Sequence, residues 1–158
     1  MIFVTLGSQK FQFNRLLKKI DELIENKIIK EEVFAQIGTS DYKPNNYKYV
    51  DFMHADAFAE MEGKADILIT HGGTGAIIGA VKKGKKVIAV PRLAQYGEHV
   101  DDHQVQLLRQ FDEMGIIEAC YEPDSLDLNI KEIKDKTYNP YISNTDAIIE
   151  SINIFICN

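Results

Sequence analysis

Three of the ten glycines in this chain stand beside a histidine and a threonine in the segment His71-Gly72-Gly73-Thr74-Gly75. An apolar run typical of a buried strand precedes the segment, and a helical pattern follows it. Glycine lets backbone N–H groups approach an anion closely, and the positive end of a helix dipole adds to the attraction. Thr74 adds a hydroxyl and His71 an imidazole N–H. We therefore predict a phosphate-binding turn, with a tight turn that binds nothing as the alternative.

The class of phosphate ligand is less strongly specified. The segment lacks the Gly-Lys-Ser/Thr ending of a P-loop, and Gly73-x-Gly75-x-x-x-Gly79 only approximates the dinucleotide fingerprint. It also follows the fourth predicted strand, whereas that fingerprint usually follows the first. The next strand ends not at an acidic residue that would hold a ribose but at Arg92, which leaves NADP binding as an alternative.

A second polar segment, from Pro91 to Gln104, follows the next predicted strand. Its dense polar side chains suit a ligand rich in hydroxyl groups. His99 and His103 are four residues apart, so on a helix they would share one face, a spacing that can bind zinc. No third ligand is evident and there is no His-Glu-x-x-His pattern, so we predict no metal site.

Gly7 and Ser8 end the first predicted strand and form a third candidate segment. A glycine and a hydroxyl at that position could face the same ligand as the turn at 71–75. A plain turn between strand and helix explains the two residues equally well.

The elements that must position these segments alternate between strand and helix. Apolar runs predict six strands, at 2–6, 33–37, 47–52, 67–70, 87–90 and 116–120. Helical spacing predicts helices near 16–28, 55–61, 76–83, 100–114, 125–133 and 144–156. This alternation predicts an α/β fold, a Rossmann-like parallel sheet of about six strands with helices on both faces. Ligands bind beyond the carboxyl ends of such strands, where all three segments and Gly38 would meet.

Length and composition suit a single domain over residues 1–158, with 45% hydrophobic residues. The net charge of -6 argues against a nucleic-acid partner. Two cysteines, Cys120 and Cys157, provide no disulfide framework, which favours the cytoplasm. No signal peptide or apolar run of ~20 residues is present, so a partner would have to mediate any membrane association. The apolar residues Ile152, Ile154, Phe155 and Ile156 would pack on the core or dock into a partner.

Together these segments resemble the C-terminal, donor-binding domain of the family-28 glycosyltransferases. The resemblance covers nearly the whole chain and is strongest over Ile2 to Leu17, Ala65 to Pro91 and Gly97 to Leu108. In size and motif the chain is most similar to the stand-alone subunits of bacterial capsular and exopolysaccharide synthesis, especially over 97–104. The eukaryotic subunit that adds the second N-acetylglucosamine to dolichol-linked chitobiose is a relative.

This resemblance implies the C-terminal half of a GT-B fold and an inverting glycosyltransferase split between two chains. The present chain would bind a UDP-sugar without a metal ion or other cofactor. A membrane-anchored partner would hold the lipid-linked saccharide acceptor and supply the general base, so no catalytic residue is assigned here. A hexose, galactose transferred β-1,4, is the favoured sugar. The alternative is a non-catalytic subunit that stimulates such a transferase.

The resemblance also assigns residues to the donor. The predicted contacts to the donor diphosphate are Gly7, Ser8, His71, Gly72, Gly73, Thr74 and Gly75. The predicted contacts to the donor sugar and nucleotide are Arg92, Glu98, His99, Asp102, His103 and Gln104. One position departs from the family pattern: larger members carry a ribose-binding glutamate where this chain has Gly79.

Overall fold

The computed structural model describes residues 1–144 and Ile149. Its strands are β1 (Ile2–Thr5), β2 (Val33–Gln36), β3 (Lys48–Val50), β4 (Ile67–His71), β5 (Lys86–Val90) and β6 (Glu118–Ala119). Its helices are α1 (Asn14–Glu25), α2 (Ala55–Lys64), α3 (Thr74–Lys82), α4 (His103–Glu113) and α5 (Leu126–Asp135), with short 3-10 turns at Ala94–Tyr96 and Pro123–Ser125. The predicted helix at 144–156 and the apolar residues within it lie outside the described residues.

The six strands form one parallel sheet in the order β3-β2-β1-β4-β5-β6. This confirms the predicted Rossmann-like α/β fold. The order reverses between β1 and β4, which are neighbours in space but not in sequence. Thr5 pairs with Thr70, so both strands leave the sheet side by side. A crevice beyond the carboxyl ends of the strands at such a reversal is where this kind of sheet binds ligands.

Both faces of the sheet are buried, which explains why the central strands are continuous apolar runs. Alternate residues of β1 enter different cores: Ile2 and Val4 pack with α1 and α5, whereas Phe3 packs with α3 and α4. The central strands β1, β4 and β5 are almost wholly buried. Within the described part of the chain no helix is long and apolar enough to cross a bilayer.

Several predicted boundaries were wrong by a few residues. The edge strands β3 and β6 are shorter than the predicted 47–52 and 116–120, since each pairs with only one neighbour. Thr74 and Gly75, expected in the turn, open α3. The helix predicted from residue 100 begins at His103. His99 therefore precedes it, and the two histidines do not share a helix face.

A buried carboxylate on α1 fixes the loop that leads into β3. Asp21 is 4% exposed. It accepts hydrogen bonds from the Tyr42 hydroxyl at 2.6 Å and from the amides of Asn45 and Asn46 at 2.7 and 2.8 Å. Burial raises the pKa of the Asp21 carboxyl, but these hydrogen bonds outweigh burial, and the net pKa lies below its usual value. The ionised form thus stabilises the fold.

We expect Asp21→Asn to lower the free energy of unfolding by about 1–3 kcal/mol at pH 7, because an amide cannot accept all three bonds. The contribution of an acid whose pKa is lowered in the folded state is fully present above its unfolded pKa, about 3.9, and is lost as the pH falls from that value through the lower folded pKa. Urea unfolding should therefore show a smaller difference in the free energy of unfolding between the wild type and Asp21→Asn at about pH 3.5 than at pH 7. Asp41→Asn, at an exposed position, is the control; an equal loss there would contradict the prediction.

Candidate functional site

The imidazole of His71 lies between two glycines at the carboxyl edge of the sheet. A β-carbon at Gly7 would lie 2.5 Å from its Cε1 atom, and one at Gly73 would lie 2.4 Å from its Nε2 atom. Gly7 also has a positive φ of 73°, which side chains rarely adopt. Gly73 is the N-cap residue of α3. The predicted glycines are thus required by the close approach of the two turns to the ring.

His71 is buried and electrically neutral at physiological pH. Burial, together with the nearby charge of Arg92, lowers the pKa of its imidazole to about 4. The hydroxyl of Thr70 donates to the carbonyl oxygen of Thr5 at 3.0 Å, and its oxygen lies 3.4 Å from Nδ1 of His71. Because that hydroxyl has a single proton, a hydrogen bond between these two atoms would have Nδ1 as its donor, which favours the tautomer with the proton on Nδ1. Nε2 then faces the two glycines as an acceptor, so donation to a phosphate requires the other tautomer.

We expect the depressed pKa of His71 to appear in the pH dependence of stability. A base whose pKa is lowered by folding binds its proton more readily in the unfolded chain. Its cost is absent above the unfolded pKa of about 6.5 and grows to about 2 kcal/mol at pH 5. Denaturant unfolding at pH 7 and 5 should show this extra loss in the wild type and not in His71→Gln. Parallel pH dependence of the two proteins would contradict the assignment.

Gln104 connects residues 71–75, here called the glycine turn, to the segment after β5. Its side chain is buried, and its Oε1 atom accepts hydrogen bonds from the amide of Gly72 at 3.1 Å and from that of Arg92 at 2.9 Å. A β-carbon at Gly72 would lie 2.7 Å from Cβ of Gln104, so the two segments are in tight contact. The structure therefore brings the first and second polar segments together, with Gln104 as the link.

Arg92, predicted to contact the donor, lies beneath the surface with 1% exposure. Its Nη2 atom donates to the carbonyl oxygens of Leu6 at 2.8 Å and of Phe11 at 3.1 Å. Its Nε and Nη1 atoms have no partner among the residues that the structure describes. Burial lowers the pKa of the guanidinium to about 10, so it stays charged at neutral pH. In this position it cannot reach a 2′-phosphate at the surface, which weakens the NADP alternative.

Glu98, another predicted donor contact, is also buried and bound within the protein. Its carboxylate accepts from Nε of Arg15 at 2.8 Å and from the amide of Leu93 at 3.0 Å. Asp102 is exposed, and it accepts from the amide of Ala94 at 2.8 Å. These two bonds fold the segment 93–102 back on itself before α4 begins.

The exposed predicted residues at this edge are Ser8, Thr74, Gly75, Asp102 and His103. No side chain caps the N-terminus of α3, and its first turn carries no acidic residue. The first N–H groups of a helix have no partner within the helix, so they are free to bind an anion here. The uncapped helix start and the Ser8 hydroxyl form an accessible set of donors above Gly7 and His71.

Two residues of the site escaped the sequence analysis. Thr70 orients His71, and its position as a polar residue at the end of an apolar strand was a usable signal. Arg15 holds Glu98 from the far side of the segment, and no sequence pattern pointed to it. A cavity of about 530 Å³ lies beside Arg15 between α1, Tyr96 and Glu122, and its lining residues do not include those of the turn at 71–75.

Comparison with known proteins gives a single family. Residues 1–155 match the model of the glycosyltransferase family 28 C-terminal domain. The chain is similar to the UDP-N-acetylglucosamine transferase subunit ALG13 of Homo sapiens, with 24% identity over 75% of this chain and 11% of that protein. It is also similar to the subunit of the same name from Candida glabrata, with 25% identity over 76% of this chain and 58% of that protein. The chain thus spans from a tenth to just over half of these relatives.

Solved structures show the same fold. The glycotransferase of kitacinnamycin superposes with a TM-score of 0.63 at 19% identity, covering 85% of this chain and 35% of that one. MurG of Acinetobacter baumannii superposes with a TM-score of 0.60 at 18% identity, covering 84% of this chain and 40% of that one. An NMR structure of ALG13 gives 0.59 at 17% identity over 96% and 93%. At these identities the likeness supports the shared architecture and says nothing of the ligand.

Proposed function

This chain belongs to the glycosyltransferase family 28 C-terminal domain family, and from that premise we propose that it is the donor-binding subunit of an inverting UDP-sugar glycosyltransferase. The curated relatives that it resembles are named as transferase subunits for UDP-N-acetylglucosamine. A subunit with the donor site needs a partner that holds the acceptor. We propose a membrane-anchored partner and a lipid-linked saccharide acceptor, with this chain at the inner face of the membrane.

One observation carries this proposal: an uncapped helix start, without an acidic residue in its first turn, lies at the strand-order reversal of the sheet. The uncapped N-terminus of α3 follows β4, and Gly7 with Ser8 follows the adjacent β1. Backbone amides and a helix dipole can neutralise a diphosphate there without a metal ion. The sequence-predicted diphosphate residues are therefore grouped in the crevice where such a sheet binds its ligand.

The proposed reaction moves one sugar. A hydroxyl oxygen of the saccharide acceptor, which the partner holds, forms a bond to the anomeric carbon. The bond from that carbon to the UDP oxygen breaks. UDP leaves with the bonding electron pair, the anomeric configuration inverts, and the hydroxyl proton passes to a base on the partner. The role of this chain is to hold UDP and to stabilise the charge that develops on it.

We propose a hexose donor, with UDP-galactose and UDP-N-acetylglucosamine as the two sugars to compare. The resemblance to bacterial polysaccharide subunits favours galactose, transferred β-1,4 during capsule or exopolysaccharide synthesis. The names of the curated relatives favour N-acetylglucosamine. The two donors differ in the hydroxyl and acetamido groups that polar side chains such as that of His103 would read.

Calorimetric titration of the purified chain with UDP, both UDP-sugars and NADPH tests the proposal. We expect UDP and a UDP-sugar to bind, and NADPH not to bind. His71→Ala should weaken UDP binding, because it removes the ring against which Gly7 and Gly73 pack. The chain alone should transfer sugar poorly, and addition of its partner should restore transfer.

Other outcomes separate the alternatives. Absence of UDP binding both to the free chain and to the complex with its partner would indicate a stimulatory subunit. In that case His71→Ala would leave transfer by the complex unchanged. Binding of NADPH alone, or robust transfer by the single chain, would overturn the proposal.

Gly79 offers a gain-of-function test of the proposed ribose site. A β-carbon there would have no atom within 4 Å, so α3 has room for a side chain at this position. If the uridine ribose lies as in larger family members, Gly79→Glu should tighten UDP binding about tenfold through a charge-assisted hydrogen bond. Gly79→Ala is the matched control: it should stabilise the helix by about 0.5–1 kcal/mol without changing affinity. Equal affinities of both variants would place the ribose elsewhere.

A further inference from the structure

Three potential metal ligands converge in the segment just before and at the start of α4. One ring nitrogen each of His99 and His103 and a carboxylate oxygen of Asp101 all lie within 4.8 Å of one another. The two imidazole rings meet edge to face, with centroids 4.7 Å apart. The sequence showed two histidines and no third ligand. Asp101 is a third potential ligand, and its Oδ1 atom lies near Nδ1 of both histidines.

One distance within the cluster suits a transition-metal ion. Two ligand atoms about 2.1 Å from zinc at the tetrahedral angle lie about 3.4 Å apart. Nδ1 of His99 lies 3.5 Å from Oδ1 of Asp101, close to that spacing, whereas Nδ1 of His103 is in direct contact with the same oxygen, and a bound ion would separate these two atoms. Two imidazole nitrogens and one carboxylate oxygen are borderline ligands that suit zinc, cobalt or nickel better than magnesium.

The cluster is held in place by its surroundings. The ring of His99 packs on Phe11 with centroids 5.0 Å apart, and the carboxylate of Asp101 accepts the amide of His103 at 3.1 Å. On either side, the bonds from Glu98 to Leu93 and from Asp102 to Ala94 fix the loop. Ligands whose rotamers are already fixed lose little entropy when an ion binds.

Access and charge also favour a cation at this position. The side chains of Asp101 and His103 are 59% and 46% exposed, so an ion can reach them from solvent. Among the ion pairs of the described residues, Asp101 takes part only in those with the two imidazoles. No lysine or arginine in that part of the chain therefore competes with a cation for its carboxylate.

We propose that His99, Asp101 and His103 form a binding site for one divalent transition-metal ion of the zinc type, with water completing its coordination. Coordination through Nδ1 leaves the Nε2–H group of each imidazole free to donate a hydrogen bond. The ion would lock the segment 97–103, and with it the adjacent Gln104, at the edge of the glycine turn. This inference does not rest on the proposed transferase function, but it assigns a second role to His99 and His103, which are also predicted donor contacts.

Zinc titration of the untagged chain by calorimetry tests the site. We expect one Zn²⁺ to bind per chain and to raise the melting temperature, because a ligand of the folded state stabilises it. Asp101→Asn and His103→Ala should each weaken binding by at least about tenfold. His54→Ala, which removes an exposed histidine elsewhere, is the matched control and should bind as the wild type does. Mg²⁺ should not bind.

Cobalt provides a readout that does not depend on heat or on activity. Co²⁺ in the site should show the visible absorption of a four- or five-coordinate complex in the wild type and in His54→Ala, and not in the two ligand variants. Circular dichroism of each variant without metal verifies that it is folded. Absence of saturable one-to-one binding, or binding that the ligand substitutions leave unchanged, would overturn the proposal.

Discussion

Gly7→Ala is expected to abolish UDP binding and to destabilise the fold. A left-handed backbone costs an alanine about 1–2 kcal/mol, and overpacking against a buried ring costs about 1–3 kcal/mol more. The new methyl group would lie 2.5 Å from Cε1 of His71, a buried side chain with little room to move. The displaced ring would disturb the adjacent helix start, which is proposed to hold the diphosphate. Denaturant unfolding and calorimetric titration with UDP measure the two effects.

A double-mutant cycle isolates the contact with the ring. At Gly73 the backbone is extended, with φ of -79°, so an alanine adds no backbone strain. Its methyl group would clash only with the imidazole of His71, whose Nε2 atom would lie 2.4 Å away. In a His71→Ala background, Gly73→Ala should therefore cost little, whereas Gly7→Ala should keep its backbone strain. Gly75→Ala, where a β-carbon meets nothing within 4 Å, is the control and should not destabilise the fold. Additive effects of His71→Ala and Gly73→Ala would contradict the packing described here.

Gln104→Ala is expected to have the second largest effect. It leaves the buried amides of Gly72 and Arg92 without an acceptor, and each unpaired group costs about 1–3 kcal/mol. The glycine turn loses its only side-chain link to the segment after β5 among the described residues. We expect a loss of about 2–6 kcal/mol in the free energy of unfolding, summed over both amides, and UDP binding at least tenfold weaker.

Gln106 provides the matched control, because it is an exposed glutamine on the same helix. Gln106→Ala should change stability by less than about 0.5 kcal/mol and leave UDP binding as it is. If Gln104→Ala weakened UDP binding without loss of stability, direct contact with the donor would explain it better than support of the turn. Gln104→Ala and Gln106→Ala with equal effects would refute both roles.

The sequence predicted the fold class because each central strand is buried on both faces and therefore consists of a continuous run of apolar residues. It also predicted where the glycine turn lies, since glycines between a strand and a helix have few other uses. Element ends were less well predicted. The strands β3 and β6 shorten at the sheet edges, and α4 starts three residues later than its apolar pattern suggests, because Asp101 bonds the amide of His103 outside the helix.

What the sequence by itself determined is the order of the elements and the local chemistry of each turn, because both depend on neighbouring residues. Only the tertiary structure decided which polar side chains face inward. It buried Arg92 and turned Gln104 into a support for Gly72. Such contacts depend on the paths of loops, and the ends of these loops are fixed by different strands. Their partners lie up to 86 residues away along the chain, as for Arg92 and Leu6, where no local spacing can reveal them.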